Sequence, residues 1–141
     1  MPHQGGIKAA AKLLSGLDHD HRKKILEIIS KQDPRMAEVL EKNLIELEDL
    51  LFLTPTMVLE LVKEVTAKEM GLALRISTPK LKNHILTNLP KMLRAEVEEV
   101  LLGPPQSVNK VQEISEKILE IVRKKVERGE IIIRKEGDEY V

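Results

Sequence analysis

Cysteine and tryptophan do not occur in this chain, and its aromatic side chains are Phe52 and Tyr140. The first absence rules out disulfides, thiolate metal sites and cysteine nucleophiles, and is compatible with a reducing compartment. The second removes the flat platforms on which bases stack, which argues against single-stranded nucleic acid as a ligand. An excess of one charge is missing as well: Lys plus Arg and Asp plus Glu each number 23, so the formal charge is zero. A polyanion finds no global attraction here, and any electrostatic role has to come from local segregation of charge. No apolar run nears the roughly 18 residues that read as a spanning helix. Met1-Pro2-His3-Gln4-Gly5-Gly6 lacks the basic-then-apolar order of a signal peptide. The resulting expectation is a cytoplasmic protein without membrane insertion, nucleic-acid partner, metal or cofactor.

What remains is aliphatic and charged. A chain of 141 residues makes one ordinary domain or two small ones and buries roughly 68% of its unfolded surface. Apolar residues recur at three- and four-residue spacing, with proline or glycine at the ends of the runs, which predicts an all-α fold. Ile7, Ala10, Ala11, Leu14 and Leu17 form a first stripe just after Gly5-Gly6, a pair that reads as a hinge or linker end. A second helix is predicted from about Asp20 to Ser30, with Ile25, Ile28 and Ile29 inward and Arg22, Lys23 and Lys24 outward.

Asp33-Pro34, Thr54-Pro55 and Thr78-Pro79 repeat one start signal: a side-chain oxygen to cap free amides, then a proline where no donor is needed. Thr56 to Val65 carries Met57, Val58, Leu61, Val62 and Val65 inward; Thr66-Ala67-Lys68-Glu69 predicts a capping box opening a short helix to Leu74. Pro79 to Asn88 and Pro90 to Leu102 follow, the latter stopped by Gly103-Pro104-Pro105. The longest helix is predicted from Ser107 to Arg128, with an apolar seam from Val111 to Val126, a Glu120–Lys124 pair and Gly129 as its cap. Ile131-Ile132-Ile133 and Glu139-Tyr140-Val141, joined at Gly137-Asp138, suggest a small terminal hairpin. Short helices meeting at proline corners predict an armadillo-like, superhelical stack, although no strict sequence period accompanies them.

Catalytic patterns are lacking. His19 and His21 flank Asp20, but a spacing of two puts the histidines on different helix faces and no second ligand cluster follows, so a solvated helix start is expected over a metal site. His84, three residues after Leu81, reads as a boundary position on a packed face. No nucleophile elbow, phosphate loop, zinc helix or dinucleotide fingerprint occurs. A non-enzyme is expected.

The order of charges is informative. Between Glu69 and Glu96 there is no acidic residue, while Arg75, Lys80, Lys82, Lys91 and Arg94 are basic; Glu96, Glu98 and Glu99 then arrive within one helix. An ordinary solvated surface and a charged docking ridge both accommodate that order. A ridge would confer orientation and fast, salt-sensitive encounter more than tight affinity.

Gly5-Gly6 with Lys8-Ala9-Ala10 and Leu13-Leu14, then Asp33-Pro34 with Met36-Ala37-Glu38, then Leu47-Glu48-Asp49-Leu50 appear in that order. They continue through Glu64-Val65, Leu72-Ala73-Leu74-Arg75, Asn88-Leu89, Leu102-Gly103-Pro104 and Gly129-Glu130-Ile131-Ile132-Ile133. Together they resemble the later part of the FliG family of flagellar motor switch proteins, over almost the whole chain. The resemblance implies an armadillo-like bundle over residues 5–43, a connecting hinge segment over 44–53, and a C-terminal helical domain over 54–141. It also implies a non-enzymatic component of the rotor and switch complex, at the cytoplasmic side of the inner membrane at the flagellar basal body. Its partners would be the cytoplasmic loop of the stator's ion-channel subunit, other switch-complex proteins and neighbouring FliG copies. The implied ridge is Arg75, Arg94, Glu98 and Glu99, and the implied hinges are Gly5-Gly6 and Leu44-Ile45-Glu46-Leu47.

Departures from the family are specific. Leu44-Ile45-Glu46-Leu47 stands where Met-Phe-Val-Phe is usual, so Glu46 replaces an apolar residue. Arg75 stands in a lysine position; Met92 falls where an arginine is usual, with Arg94 as a neighbouring substitute; Gln106 replaces the arginine after the Gly-Pro corner. The family's N-terminal membrane-ring-binding domain and the middle-domain surface that binds the rest of the switch complex have no counterpart, which implies a piece of a longer protein or a short paralogue docking its first bundle on the middle domain of a full-length neighbour. Two other functions stay open on sequence: a stand-alone helical adaptor that regulates the complex without carrying torque, and an unrelated helical-repeat scaffold.

Overall fold

In a computed structural model of the chain, residues 4–133 are described. Every regular element among them is helical. The chain divides into two compact units, Met1–Ile45 and Glu46–Val141.

The first unit holds α1 (Gln4–Ser15), α2 (His19–Gln32) and α3 (Pro34–Asn43). Helix α1 begins at Gln4, so Gly5 and Gly6 lie in its first turn and not ahead of it. Asp18 caps α2 by accepting from the His21 amide at 2.9 Å, and Asp33 caps α3 from the Met36 amide at 3.1 Å with Pro34 behind it. Helix α3 packs on both α1 and α2. Ile7, Ala11, Leu14, Leu40 and Leu44 form the core, flanked by Ala10, Leu26, Ile29, Met36 and Val39. Two expectations for α2 fail here. Ile25 and Ile28 face solvent, while Arg22 turns inward and donates to the carbonyls of Leu14, Ser15 and Leu17. The unpaired carbonyls at the end of α1 need a donor, and Leu26 and Ile29 already fill the inward stripe.

The second unit opens with a 3₁₀ helix (Leu47–Phe52), then α4 (Pro55–Val65), α5 (Ala67–Leu74), α6 (Pro79–Thr87), α7 (Lys91–Leu101) and α8 (Val108–Glu127). Thr54, Thr66, Thr78 and Ser107 each accept from the amide three residues on, so the side-chain caps expected from sequence form. At Thr66 only half the expected box is present, since its own amide donates to Val62 and turns the chain from α4 straight into α5. Helix α5 is the hub, packed on α4, α7 and α8, and Met70 to Leu74 are buried in succession. Gly71 permits this crossing: a Cβ there would stand 2.8 Å from both the Val97 carbonyl oxygen and the Val100 Cβ. Helix α8 lays Val111, Ser115, Ile118 and Val122 inward. It is also tied by ion pairs from Lys117 to Glu69 on α5 (3.0 Å) and from Lys125 to Glu64 on α4 (2.5 Å).

The hinge expected over 44–53 divides at the unit boundary. Leu44 and Ile45 end the first unit, Leu44 in its core, whereas Glu46 caps the 3₁₀ helix of the second by receiving Asp49 in a mutual box, with Asp49 accepting from the Glu46 amide at 2.8 Å. Glu46 thus starts the 3₁₀ helix from an exposed position, where the family resemblance implies an apolar side chain. Leu47 starts the 3₁₀ helix, whose Leu50 is fully buried. Glu48 binds Thr78 through both the amide (2.9 Å) and the hydroxyl (2.7 Å), joining this segment to the start of α6.

The expected first strand is not formed: Ile131–Ile133 are irregular. Gly129, at φ 75, reverses the chain after α8, and the amides of Glu130 and Ile131 both turn back to the Lys125 carbonyl. The Ile131 donor is thus spent on closing the helix instead of opening a ladder. The second half, Glu139-Tyr140-Val141, lies outside the described residues. The expected Glu120–Lys124 pair is also replaced, by Glu120 with Arg123 at 3.4 Å.

Candidate partner-binding site

The ridge residues converge on α7 and its ends. Helix α7 starts after the Leu89-Pro90 corner without a side-chain cap and carries Glu96, Glu98 and Glu99 toward its C-terminus, with no basic residue in the last turn. Glu98 and Glu99, in the last turn, oppose the helix dipole at a cost of about a few tenths of a kcal/mol each, while Glu96 sits in mid-helix. Glu96 and Glu99 are exposed and Glu98 is half-buried; none of the three has an ion-pair partner among the described residues. Their charge is free to face outward.

The two arginines behave differently. Arg75, the C-cap of α5, donates through Nη2 to the Val100 carbonyl at 2.6 Å and through Nη1 to the Pro104 carbonyl at 2.7 Å. Its Nε is buried without a partner. The guanidinium fork therefore closes the end of α7 and the Gly103-Pro104 corner together, a geometry that a planar five-donor group suits and an ammonium does not. Arg94 donates through Nη2 to the Leu89 carbonyl at 3.1 Å, also with a buried, unpartnered Nε. Both side chains are half-buried. Sequence order had grouped Arg75 and Arg94 with Glu98 and Glu99 as one charged surface. The structure places all four around α7 but commits both guanidinium groups to backbone carbonyls.

Exposed positive charge comes from Lys80, Lys91 and, half-buried, Lys82, which have no ion-pair partner among the described residues. Met92, in the position where the family has an arginine, is 80% exposed in the first turn of α7, and Leu102 at the other end is 82% exposed. The surface is thus mixed: carboxylates toward one end of α7, lysines before and at its start, and an exposed apolar side chain at each end.

His84 takes no part in this surface. Its Nε2 donates to the Leu53 carbonyl at 3.0 Å, joining α6 to the segment before α4, as suits a boundary histidine. His21 is an exposed partner of the Asp18 cap, whose carboxyl is held below its ordinary range chiefly by the hydrogen bond from the His21 amide. No group of three metal-ligating side chains occurs among the described residues, and no described helix is long and apolar enough to cross a membrane.

Some of the supporting residues give no single-sequence signal. Glu48 and Thr78 are 30 residues apart and Arg75 and Pro104 are 29, and neither spacing has a local motif. Two carboxylates, Glu98 and Glu99, in the last turn of a helix are a visible cue that something cationic stands nearby.

Residues 27–133 match the sequence pattern described as the FliG C-terminal domain. The flagellar motor switch protein FliG of Thermotoga maritima is 31% identical over 137 residues, 96% of this chain and 41% of that protein. That of Bacillus subtilis is 30% identical over 138 residues, 97% of this chain and 41% of the other. The chain thus spans about two fifths of the length of these relatives. A crystal structure of a FliG fragment from H. pylori superposes with a TM-score of 0.72 at 27% identity, covering 93% of this chain and 58% of that one. Full-length FliG from Aquifex aeolicus gives 0.59 at 25% identity, covering 94% and 41%. A match over most of the helices just described, with relatives that agree in sequence and in fold, makes this chain a member of the FliG C-terminal domain family.

Proposed function

We propose that the chain acts, without catalysis, as a component of the flagellar rotor and switch complex at the cytoplasmic face of the membrane, meeting the stator's cytoplasmic loop along α7. The observation that carries this reading is the set of unpaired carboxylates of Glu96, Glu98 and Glu99 at the end of α7, in a chain of this family. Acidic groups with no side-chain ion pair of their own, on a helix end whose carbonyls are already capped by Arg75, are open to a partner that brings the opposite charge. The contact should be salt-sensitive and quick to form and break, as a surface that pushes and releases requires.

A second contact is favoured by the first unit. Leu13 on α1 is 77% exposed, and on α2 Ile28 is 57% exposed with Ile25, also exposed, one turn before it. Exposed apolar side chains on the helices of a small unit suit another subunit of the switch complex as cover. The stand-alone adaptor reading predicts this second contact without the first. Replacing both Glu98 and Glu99 by lysine separates the two. Loss of swimming with assembly intact supports the torque surface, and normal swimming rejects it.

A further inference from the structure

Helix α7 carries its acidic edge at the end where carboxylates are least welcome and has no basic residue of its own there. The positive charge comes from 25 residues upstream: Arg75 reaches the Val100 carbonyl at 2.6 Å, and from 29 residues away the Pro104 carbonyl at 2.7 Å. Gly103 is shaped to that fork. A Cβ on it would lie 3.3 Å from Arg75 Nη2, 3.2 Å from the Glu99 carbonyl and 3.4 Å from the Val100 carbonyl. Below the fork, Gly71 lets α5 and α7 cross so closely that the cap of one helix can serve the end of the other.

We propose that Arg75 is a positioning residue, a latch that fixes the last turn of α7 and the Gly103-Pro104 corner and so aims Glu98 and Glu99, instead of presenting its own charge to the partner. This rests on the reading of α7 as the partner-facing edge. The side chain is half-buried, its two terminal nitrogens are both engaged and its Nε is shut away from solvent. Each terminal nitrogen spends one of its two hydrogens on a carbonyl that closes the corner, so a partner's carboxylate would meet a guanidinium already fixed in place by the helix end. The role depends on the shape of the fork more than on its sign. A lysine, which the family resemblance puts at this position, bears the same charge but cannot span two carbonyls in one plane, so the latch belongs to the arginine of this chain.

Three variants of the full chain test this: Arg75→Lys, Arg75→Gln and Gly103→Ala. The last leaves every charge in place and puts a methyl group against the fork. Hydrogen exchange is read at the amides of Leu102 and Gly103, which donate to Glu98 and Val100 in the turn the latch closes. Swimming is read in cells carrying each variant. All three should exchange at those two amides about tenfold faster or more, as losing charge-assisted bonds implies, with exchange in α8 unchanged. All three should also swim poorly, and lysine should not rescue. If Arg75→Lys swims normally while Arg75→Gln does not, and exchange at the corner is unaltered, Arg75 meets the partner directly and the latch is overturned. A loosened corner with normal swimming in Gly103→Ala overturns it equally. Should Arg75→Gln fail to fold, the other two variants still decide. If reversing Glu98 and Glu99 leaves swimming intact, the torque reading falls, whereas faster corner exchange in the lysine variant would still establish the physical latch.

Discussion

Residues 4–45 and 46–133 are made of the same aliphatic and charged side chains, but they close their interiors to different degrees. The 12 largest side chains below 2% exposure, among them Leu61, Met70, Ile85 and Ile118, all belong to the second unit. The best-buried residue of the first is Leu40, at 3%. Where the second unit leaves large apolar side chains outside, they stand at helix ends and corners, as at Phe52, Ile76, Met92, Leu102 and Val108. The first unit leaves Ile25 and Ile28 out in the middle of α2. Three helices have too little surface to enclose every apolar stripe they carry, whereas the second unit wraps its helices around a central α5. The small unit leaves apolar side chains bare on α2, while the large one ties α8 to α4 and α5 by ion pairs around its closed interior, and the docking and torque-bearing roles proposed above divide along that line.

Truncating the interior should expose the contrast most strongly. Ile118→Ala should destabilise the second unit by about 3–5 kcal/mol and Leu40→Ala the first by about 2–3 kcal/mol, read from hydrogen exchange unit by unit. Equal costs would mean that the two cores are equally tight. Next comes Gly71→Ala, expected to cost about 1–3 kcal/mol through the 2.8 Å approach to α7. An unchanged melting temperature would show that α5 and α7 can part without penalty.

A smaller effect is expected from Lys125, whose pKa is raised by its hydrogen bond to Glu64, against the opposing effect of burial. A group with a raised pKa in the folded state stabilises fully below its unfolded value of 10.5 and loses that contribution as pH climbs through the folded value. Lys125→Met should therefore lower the melting temperature at neutral pH by on the order of a few degrees and narrow its gap to wild type above pH 10.5. A gap that stays constant across that range would dissociate the pair from stability.

The smallest effect on stability belongs to Ile28→Gln, within about 0.5 kcal/mol. Combined with Leu13→Gln it should still weaken association with other switch-complex subunits in co-sedimentation. Stability loss without a change in association would move the stripe from surface to core and erase the distinction between the units.

Much of this could be read from local patterns. Asp33-Pro34, Thr54-Pro55, Thr78-Pro79 and Gly129 act within a turn of themselves, and each forms the cap its residue type allows. The departures come from competition between elements. Arg22 appeared solvated by its charged neighbours, but three carbonyls at the end of α1 claimed it. Ile131 to Ile133 had the composition of a strand, but the turn at Gly129 drew the Ile131 amide back to the Lys125 carbonyl. At the site, the acidic cluster on α7 was legible because charge order is a property of the string. The employment of Arg75 was not, because its acceptors lie 25 and 29 residues away.

By itself, then, the amino-acid sequence determined that this protein is helical, where its helices begin, that it has no thiol chemistry, and which family it resembles. All of these depend on side chains acting on their own backbone or on a pattern read along the chain. Only the tertiary structure decided which isoleucines of α2 are covered, that Glu46 and Leu47 belong to the second unit, and that Arg75 spends its guanidinium on the end of α7. Each of those outcomes is settled by what a second element offers in space: an unpaired carbonyl, a vacant apolar face or a glycine that lets two helices meet.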